Sequence, residues 1–318
     1  MTVKPMLAAL AKETFDSPDH IFEWKWNGLR IVGHCEGGSA LLQGRSGADF
    51  TAQFPELQGL AQQVKADASV DGEVVCLDEN GLPDFNRIQH RIGKRDPMII
   101  KHMAEKFPAT FMVFDVVSVF GQDITATSRE PATLMQRKEI LGKILVSDGA
   151  VKLTSWVDTN GMALYSEAVR LNQEGIMAKT KMGLYYPGGR TDCWQKLKIP
   201  KYANFVIGGY TRGTGWREDM MGAVILGKPG EGGLRWVGNA GSGFNNRVLA
   251  DLYGALQRIE TDESPFLPGT KVPKLGSWVQ PILVAEVKYY DVTKGGQLIW
   301  PIFQRVRTDL TMEDVRNG

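Results

Sequence analysis

Short runs of alternating or β-branched residues recur along the whole chain, at residues 21–26, 70–77, 111–119, 175–179, 194–199, 205–210, 223–227, 234–238 and 284–290, each with the period or composition of a strand. Helical spacing is rarer. Leu57, Leu60, Ala61 and Val64 follow Pro55; Leu164, Ala168 and Leu171 precede Gly175; Val248, Leu249, Leu252 and Leu256 form a third set, each with the rhythm of one buried helix face. Strands that outnumber helices without regularly alternating with them predict an α+β fold, not a doubly wound one. Glycine, 36 of 318 residues, exceeds the usual ~7% and suits tight turns between short strands.

The length passes the roughly 250–300 residues at which one core stops growing, so two domains are expected. The run Trp194-Gln195-Lys196-Leu197-Lys198-Ile199 meets Pro200, which cannot donate to a continuing ladder. This places a linker at residues 199–203, between a first domain at 1–199 and a second at 200–318. The second, with about five strands, one helix and several glycine pairs, reads as a small OB-like barrel.

With 37 Lys+Arg against 36 Asp+Glu, no blanket of basic residues coats the chain, although a local basic strip escapes such a total. Three dispersed cysteines and four histidines form no metal-ligand spacing. Without a signal peptide or an apolar run of membrane length, the sequence predicts a reduced, cytoplasmic, monomeric protein with no membrane association. Gly222 to Lys228 imitates part of a phosphate loop, but its interior reads as a buried strand and Pro229 stands where a metal-binding hydroxyl belongs.

A set of charged strand faces carries the chemistry. In Phe22-Glu23-Trp24-Lys25-Trp26-Asn27-Gly28-Leu29-Arg30, a period of two puts Glu23, Lys25 and Asn27 on one face and Phe22, Trp24 and Trp26 on the other, and Asn27-Gly28 turns Arg30 back toward the same place. The segment resembles K-x-D-G-x-R, motif I of the covalent nucleotidyltransferases: ATP-dependent DNA ligases, RNA ligases and capping enzymes. The other motifs follow in that superfamily's order. Gly44-Arg45-Ser46-Gly47 resembles S-R-x-G with glycine for serine, Asp71-Gly72-Glu73 matches D-G-E, and Phe114-Asp115 lies in the strand of motif IIIa. Glu174 to Lys179 matches E-G-x-x-x-K, and Lys196-Leu197-Lys198 matches K-x-K. Gly208-Gly209-Tyr210-Thr211, the stretch from Trp236 to Phe244 and the tail from Val284 to Phe303 are most similar to the ligase module of bacterial end-joining DNA ligases and their stand-alone relatives.

That resemblance implies a nucleotidyltransferase (adenylation) domain of ATP-grasp-like antiparallel sheets and helices at 1–199, followed by an OB-fold domain at 200–318. It implies that Lys25 takes AMP from ATP, that AMP passes to the 5′-phosphate of nicked duplex DNA, and that the 3′-hydroxyl then displaces it, with Mg²⁺ or Mn²⁺ assisting. Glu23 and the adjoining backbone at Trp24 read the adenine edge, Phe114 stacks on the base, and Arg30 and Glu73 contact the ribose. Lys179, Lys196 and Lys198 hold the nucleotide; Glu174, with Glu73, serves the metal. Arg45 meets the 5′-phosphate, and Arg305 and Arg307 serve phosphate. Neutral lysine is roughly one molecule in a few thousand at pH 7, so the expected neighbours Arg30, Lys196 and Lys198 favour its reactive form. The plain alternatives make Phe114 ordinary core and pair Glu73 or Glu174 with a surface lysine.

Two positions depart from the family pattern. Asn27 replaces the motif I aspartate near Arg30, and in Arg307-Thr308-Asp309-Leu310 a leucine replaces the final lysine of R-x-D-K, which bears on self-adenylylation. The rival readings are an RNA ligase and a degenerate nucleotidyltransferase that only binds nucleic acid. End-joining or repair proteins as partners are not identifiable from the sequence.

Overall fold

The computed structural model describes residues 3–11, 13–270, 272, 275–293 and 295–317. The chain divides into two compact units, Met1–Ile199 and Pro200–Gly318. Strand Arg190–Lys198 ends and strand Lys201–Arg212 begins with only Ile199 and Pro200 between them. The linker is therefore shorter than the 199–203 expected, because Lys201 to Ala203 already pair with Tyr289 to Val287.

The first unit contains two sheets. One runs in the order Leu7–Leu10, Arg190–Lys198, Gly175–Thr180, His20–Trp24, Trp156–Asp158, antiparallel except for its first pair. The other runs Ser39–Gly44, Leu29–Glu36, Ala68–Cys76, Ala109–Val119, Gln122–Asp123, with Val151–Leu153 also paired to the fourth strand. Helix Gly161–Arg170 lays Ala168 and Leu164 on Phe22, Ile176, Ala178 and Leu197 of the first sheet. A larger core of Ile31, Phe54, Val70, Phe111, Leu141 and neighbours backs the second. Met6, Phe114, Tyr185 and Trp194 bury themselves together in a separate cluster, with Phe114 and Trp194 from different sheets edge to face at 6.0 Å. This aromatic junction adjoins the site.

The run after Pro55 is not the single helix its spacing suggested. It divides into a 3₁₀ turn, Pro55–Leu57, and one helical turn, Leu60–Gln63, although Leu57, Leu60 and Val64 share one core. Among the described residues four helices have no counterpart in the sequence reading, the last of them the short Met312–Asn317. Phe85–Arg91 and Pro97–Lys106 each begin at an aspartate, Asp84 or Asp96, whose carboxylate accepts from two backbone N–H groups, as an N-cap should. Leu134–Ile144 starts with a reciprocal Thr133–Gln136 capping box. Its buried face mixes Leu134, Leu141 and Ile144 with Arg137 and Lys138, and those two charges erase the apolar rhythm that would have revealed it.

The second unit is built on a six-stranded antiparallel sheet. Its path is Gly233–Ala240, Met221–Gly230, Lys201–Arg212, Leu275–Tyr289, Glu260–Thr261, with Ile302–Val306 also on the long strand. Register shifts at Ile207/Gly209 and Leu226/Gly227 are bulges of the kind that bend a sheet around its core. Helix Asn246–Gln257 sends Leu249, Leu252 and Leu256 into that core beside Ile207, Leu226 and Phe303. Gly222 to Lys228 lies inside a strand.

Candidate active site

Strand His20–Trp24 stops just before Lys25, and the Lys25 backbone N–H is fixed on the Gly175 carbonyl at 3.1 Å. Beyond it, a Cβ at Gly28 would lie 2.2 Å from the Val74 carbonyl oxygen, so only glycine fits there. Gly175 is similarly constrained: its φ is +138° and a Cβ would sit 2.1 Å from the Leu197 oxygen, a backbone conformation and a close approach reserved to glycine. These two glycines bring Lys25 and Glu174 together. Lys25 Nζ donates to Glu174 Oε2, and Lys198 Nζ lies 2.7 Å from Oε1 of the same carboxylate. Burial pushes Glu174 up, but Lys25 and Lys198 prevail and hold it below its ordinary value. Glu174 thus pairs not with a surface lysine but with two of the candidate site lysines, their side chains 18% and 14% exposed.

Arg30 returns to the site, but not through the expected tight turn: Lys25 to Gly28 form an open connection between strands of different sheets. Its guanidinium makes two hydrogen bonds to Asp71, 2.6 and 2.7 Å, and lies 4.6 Å from the Phe114 ring centroid. Asp71 is wholly buried and also accepts from Tyr185 Oη at 2.6 Å, while that hydroxyl accepts from the Met6 backbone N–H. Asp71 therefore supplies the carboxylate for Arg30 in a chain whose motif I aspartate is Asn27. Two residues along the same strand, Glu73 is pushed up to about 7 by burial, against the opposing pull of Arg30 and Lys25. Burial, followed by Lys198, Arg190 and Lys25, draws Lys196 below its ordinary value.

Glu23, 1% exposed, accepts on Oε1 from Lys138. Lys179 Nζ lies 2.6 Å from Oε2 but off the angle of a hydrogen bond, between the rings of Phe114 and Trp194 at 4.3 and 4.2 Å. Burial brings Lys179 down to about 8, with Glu23 opposing the change. Its donors are poorly satisfied, which a ligand acceptor would correct.

A cavity of about 250 Å³ brings together Glu23, Trp24, Lys25, Arg30, Arg45, Glu73, Phe114, Lys179 and Lys196. Arg45 stands exposed on the turn after Ser39–Gly44, where a Cβ at Gly44 would meet the Phe50 ring at 2.4 Å; glycine in place of serine goes with that packing. Phe114 is both core and lining, 7% exposed. The expected alternation fails at Trp26: the strand has ended, so Trp26 joins the Phe114 cluster, donates to Thr154 at 3.2 Å and lines the cavity. Arg305 and Arg307 belong to the second unit. There Arg305 pairs with Glu286 at 2.9 Å and Arg307 grips Asp309 at 2.6 and 2.8 Å, and Leu310 packs against an apolar cluster. The sequence reading assigned no part to Asp71, Lys138, Tyr185, Arg190 or Trp194. Period two from Glu73 leads to Asp71; Lys138, Tyr185 and Arg190 pair across more than a hundred residues and leave no local trace, and Trp194 meets Phe114 from another sheet.

The sequence profile of the ATP dependent DNA ligase domain matches residues 5–198, and that of the ATP dependent DNA ligase C terminal region matches residues 217–310. The chain belongs to the ATP-dependent DNA ligase family. The multifunctional non-homologous end joining protein LigD of Mycolicibacterium smegmatis is 33% identical over 317 residues, 98% of this chain and 39% of LigD. A DNA ligase of Methanothermobacter thermautotrophicus is 27% identical over 335 residues, 98% of this chain and 57% of the other. The chain thus spans about two-fifths of the LigD proteins it matches. The ligase domain of M. tuberculosis LigD superposes with a TM-score of 0.55 at 30% identity, covering 98% of this chain and 97% of that one; a mycobacterial DNA ligase D complexed with ATP and MES gives 0.54 at 30%, with the same coverage. The ligase fold is α+β, with nucleotidyltransferase sheets followed by an OB-type C-terminal region.

The family uses ATP and a divalent metal. Among the described residues no group of three or more His, Cys, Asp or Glu side chains forms a metal cage, but magnesium binds through one or two carboxylates completed by phosphate oxygens and water. Glu174 beside Lys25, with Glu73 electrostatically coupled to both, fits that donor set. No helix among the described residues is long and apolar enough to cross a membrane.

Proposed function

We propose that this chain is an ATP-dependent DNA ligase that seals nicks in duplex DNA through a lysyl-AMP intermediate on Lys25. The observation that carries the reading is Lys25, paired with Glu174, which Lys198 also holds, and lining a cavity with Arg30, Glu73 and Glu23. In the first step the Lys25 lone pair attacks the α-phosphorus of ATP; an N–P bond forms, the bond to the bridging oxygen breaks and pyrophosphate leaves. Lys25 attacks as the neutral amine, its proton leaving to solvent, and Glu174, held as a carboxylate by Lys25 and Lys198, orients the side chain through Oε2. Lys196 and Lys198 meet the charge that develops on the phosphate. A divalent cation such as Mg²⁺ or Mn²⁺, held by Glu174 with Glu73 beside it, would neutralise phosphate charge.

Two residues from Lys25 along an extended backbone is about 6.7 Å, the order of the ribose that separates phosphate from base, and Glu23 lies at that position. Glu23 accepts from the adenine amino group while Lys179 offers a donor beside it. Phe114 floors the base slot, and Arg30 and Glu73 take the ribose. In the later steps Arg45, on the rim, engages the 5′-phosphate of the nick; the phosphate oxygen displaces Lys25 to take AMP, and the 3′-hydroxyl then displaces AMP. Arg305 and Arg307 orient the leaving pyrophosphate of the first step. The unit before Ile199 is the adenylation domain and the unit after it the OB domain. Ile199 and Pro200 act as the hinge between nucleotide capture and DNA engagement.

DNA is favoured over RNA as the substrate because the relatives are named DNA ligases, and the LigD names motivate a role in end joining with repair proteins as partners. The test is sealing of nicked DNA and nicked RNA by the whole chain with ATP. Sealed DNA, absent with Lys25→Ala, is expected; sealing of RNA alone, or nucleic-acid binding without any joining, overturns the reading.

A further inference from the structure

Helix Leu134–Ile144 sends two consecutive cations into the layer beneath the cavity. Arg137 makes two hydrogen bonds to Asp115, 2.8 and 3.0 Å, with both side chains fully buried; Asp115 adjoins Phe114. Lys138, its side chain 1% exposed, donates to Glu23 Oε1 and rests 5.2 Å from the Trp156 ring. The helix thus anchors both parts of the base slot, its floor and its edge, from behind.

We propose that Lys138 is a positioning residue for base selection, acting through Glu23 to favour a purine with an amino group at position 6 over one with a carbonyl. The inference rests on the nucleotide-transfer reading of the cavity. An ionised carboxylate only accepts hydrogen bonds and has about four lone-pair sites; Lys138 and Lys179 approach one oxygen each, and Glu23 presents the remainder to the cavity it lines. A 6-amino group donates to those sites. A 6-carbonyl presents lone pairs to them and is repelled. Without Lys138 the buried charge is only half compensated and Oε1 loses the donor that fixes it, so the carboxylate no longer meets the two groups in one orientation. Lys138 also fixes where the carboxylate stands, because Trp156 and the surrounding core leave its ammonium little room.

The experiment compares covalent labelling of the whole chain by ATP, GTP and purine riboside triphosphate, which has no substituent at position 6, in wild type, Lys138→Met, Lys138→Arg and Glu23→Gln. In Lys138→Met the KM for ATP is expected to rise about tenfold or more, the loss of one charge-assisted contact, with GTP little changed, so that the ATP preference falls by the same factor. Purine riboside triphosphate, poorer than ATP for wild type, becomes its equal in the variant, and Lys138→Arg restores the preference. Loss of activity by one common factor for all three nucleotides overturns the proposal. Should thermal melting show Lys138→Met to be unfolded, Glu23→Gln decides: a lost ATP preference supports the proposal and an unchanged one overturns it. Absence of wild-type labelling by any nucleotide would instead overturn the nucleotide-transfer reading itself.

Discussion

Replacing Asp71 by asparagine keeps the shape of the side chain and removes its charge, so it asks directly what holds Arg30 in place. The native carboxylate accepts from Arg30 twice, at 2.6 and 2.7 Å, and from Tyr185 at 2.6 Å, and it has no exposed surface. Removing one partner of a fully buried ion pair costs about 3–5 kcal/mol. The Arg30 side chain stays 22% exposed, and solvent access lowers the figure to about 2–3 kcal/mol. For a domain of this size, about 2–4 °C per kcal/mol gives a fall in Tm of about 4–12 °C. The larger effect is on rate. An asparagine amide presents one oxygen and one NH₂ to a guanidinium, so one of the two contacts becomes donor against donor and Arg30 shifts. A displacement on the order of 1 Å is worth about 10²-fold in a positioned reaction. Single-turnover formation of enzyme–AMP, measured below the new Tm, reads the rate separately from stability. Asn27→Asp, which restores the family's acid in motif I, should change the rate little because Asp71 already holds Arg30. An unchanged rate and Tm in Asp71→Asn, or a large gain from Asn27→Asp, would refute the assignment.

The carboxyl of Glu73, raised to about 7 from an ordinary value near 4.3, carries a proton in the folded state that the unfolded chain has already lost. Its contribution to stability is therefore complete below about pH 4.3 and lost as pH rises through about 7; denaturant melts of Glu73→Gln should lack that downward slope between pH 5 and 7. Arg307→Ala should slow enzyme–AMP formation by about 10²-fold, as loss of a phosphate-orienting donor does, while enzyme already carrying AMP transfers it to nicked DNA at a rate much closer to that of wild type; equal rates in the first step would remove Arg307 from that step.

The α+β class and the family were legible in the sequence because period-two faces and ordered motifs are local signals. Arg30, Glu73 and Lys196 line one cavity from strand positions whose alternation can be read along a few residues, and Lys25 joins them from the residue after its strand ends. The support beneath them could not be read in that way. Lys138 reaches Glu23 across 115 residues and Tyr185 reaches Asp71 across 114, pairings set by how sheets and helix stack. Lys138 and Arg137 also concealed their own helix, since a buried charge looks like an exposed one until its partner is known. Trp26 shows the converse: alternation is informative only while the strand lasts, and this one ends at Trp24.

The most direct test of the account is to incubate the whole chain with ATP and a divalent metal, digest it, and locate the adenylyl group by mass spectrometry, after clearing any preformed adduct with pyrophosphate. AMP bound through the side-chain nitrogen of Lys25, released again by pyrophosphate and lost in Lys25→Ala, is the expected result. No adduct, or AMP on another residue that survives Lys25→Ala, would contradict the central claim.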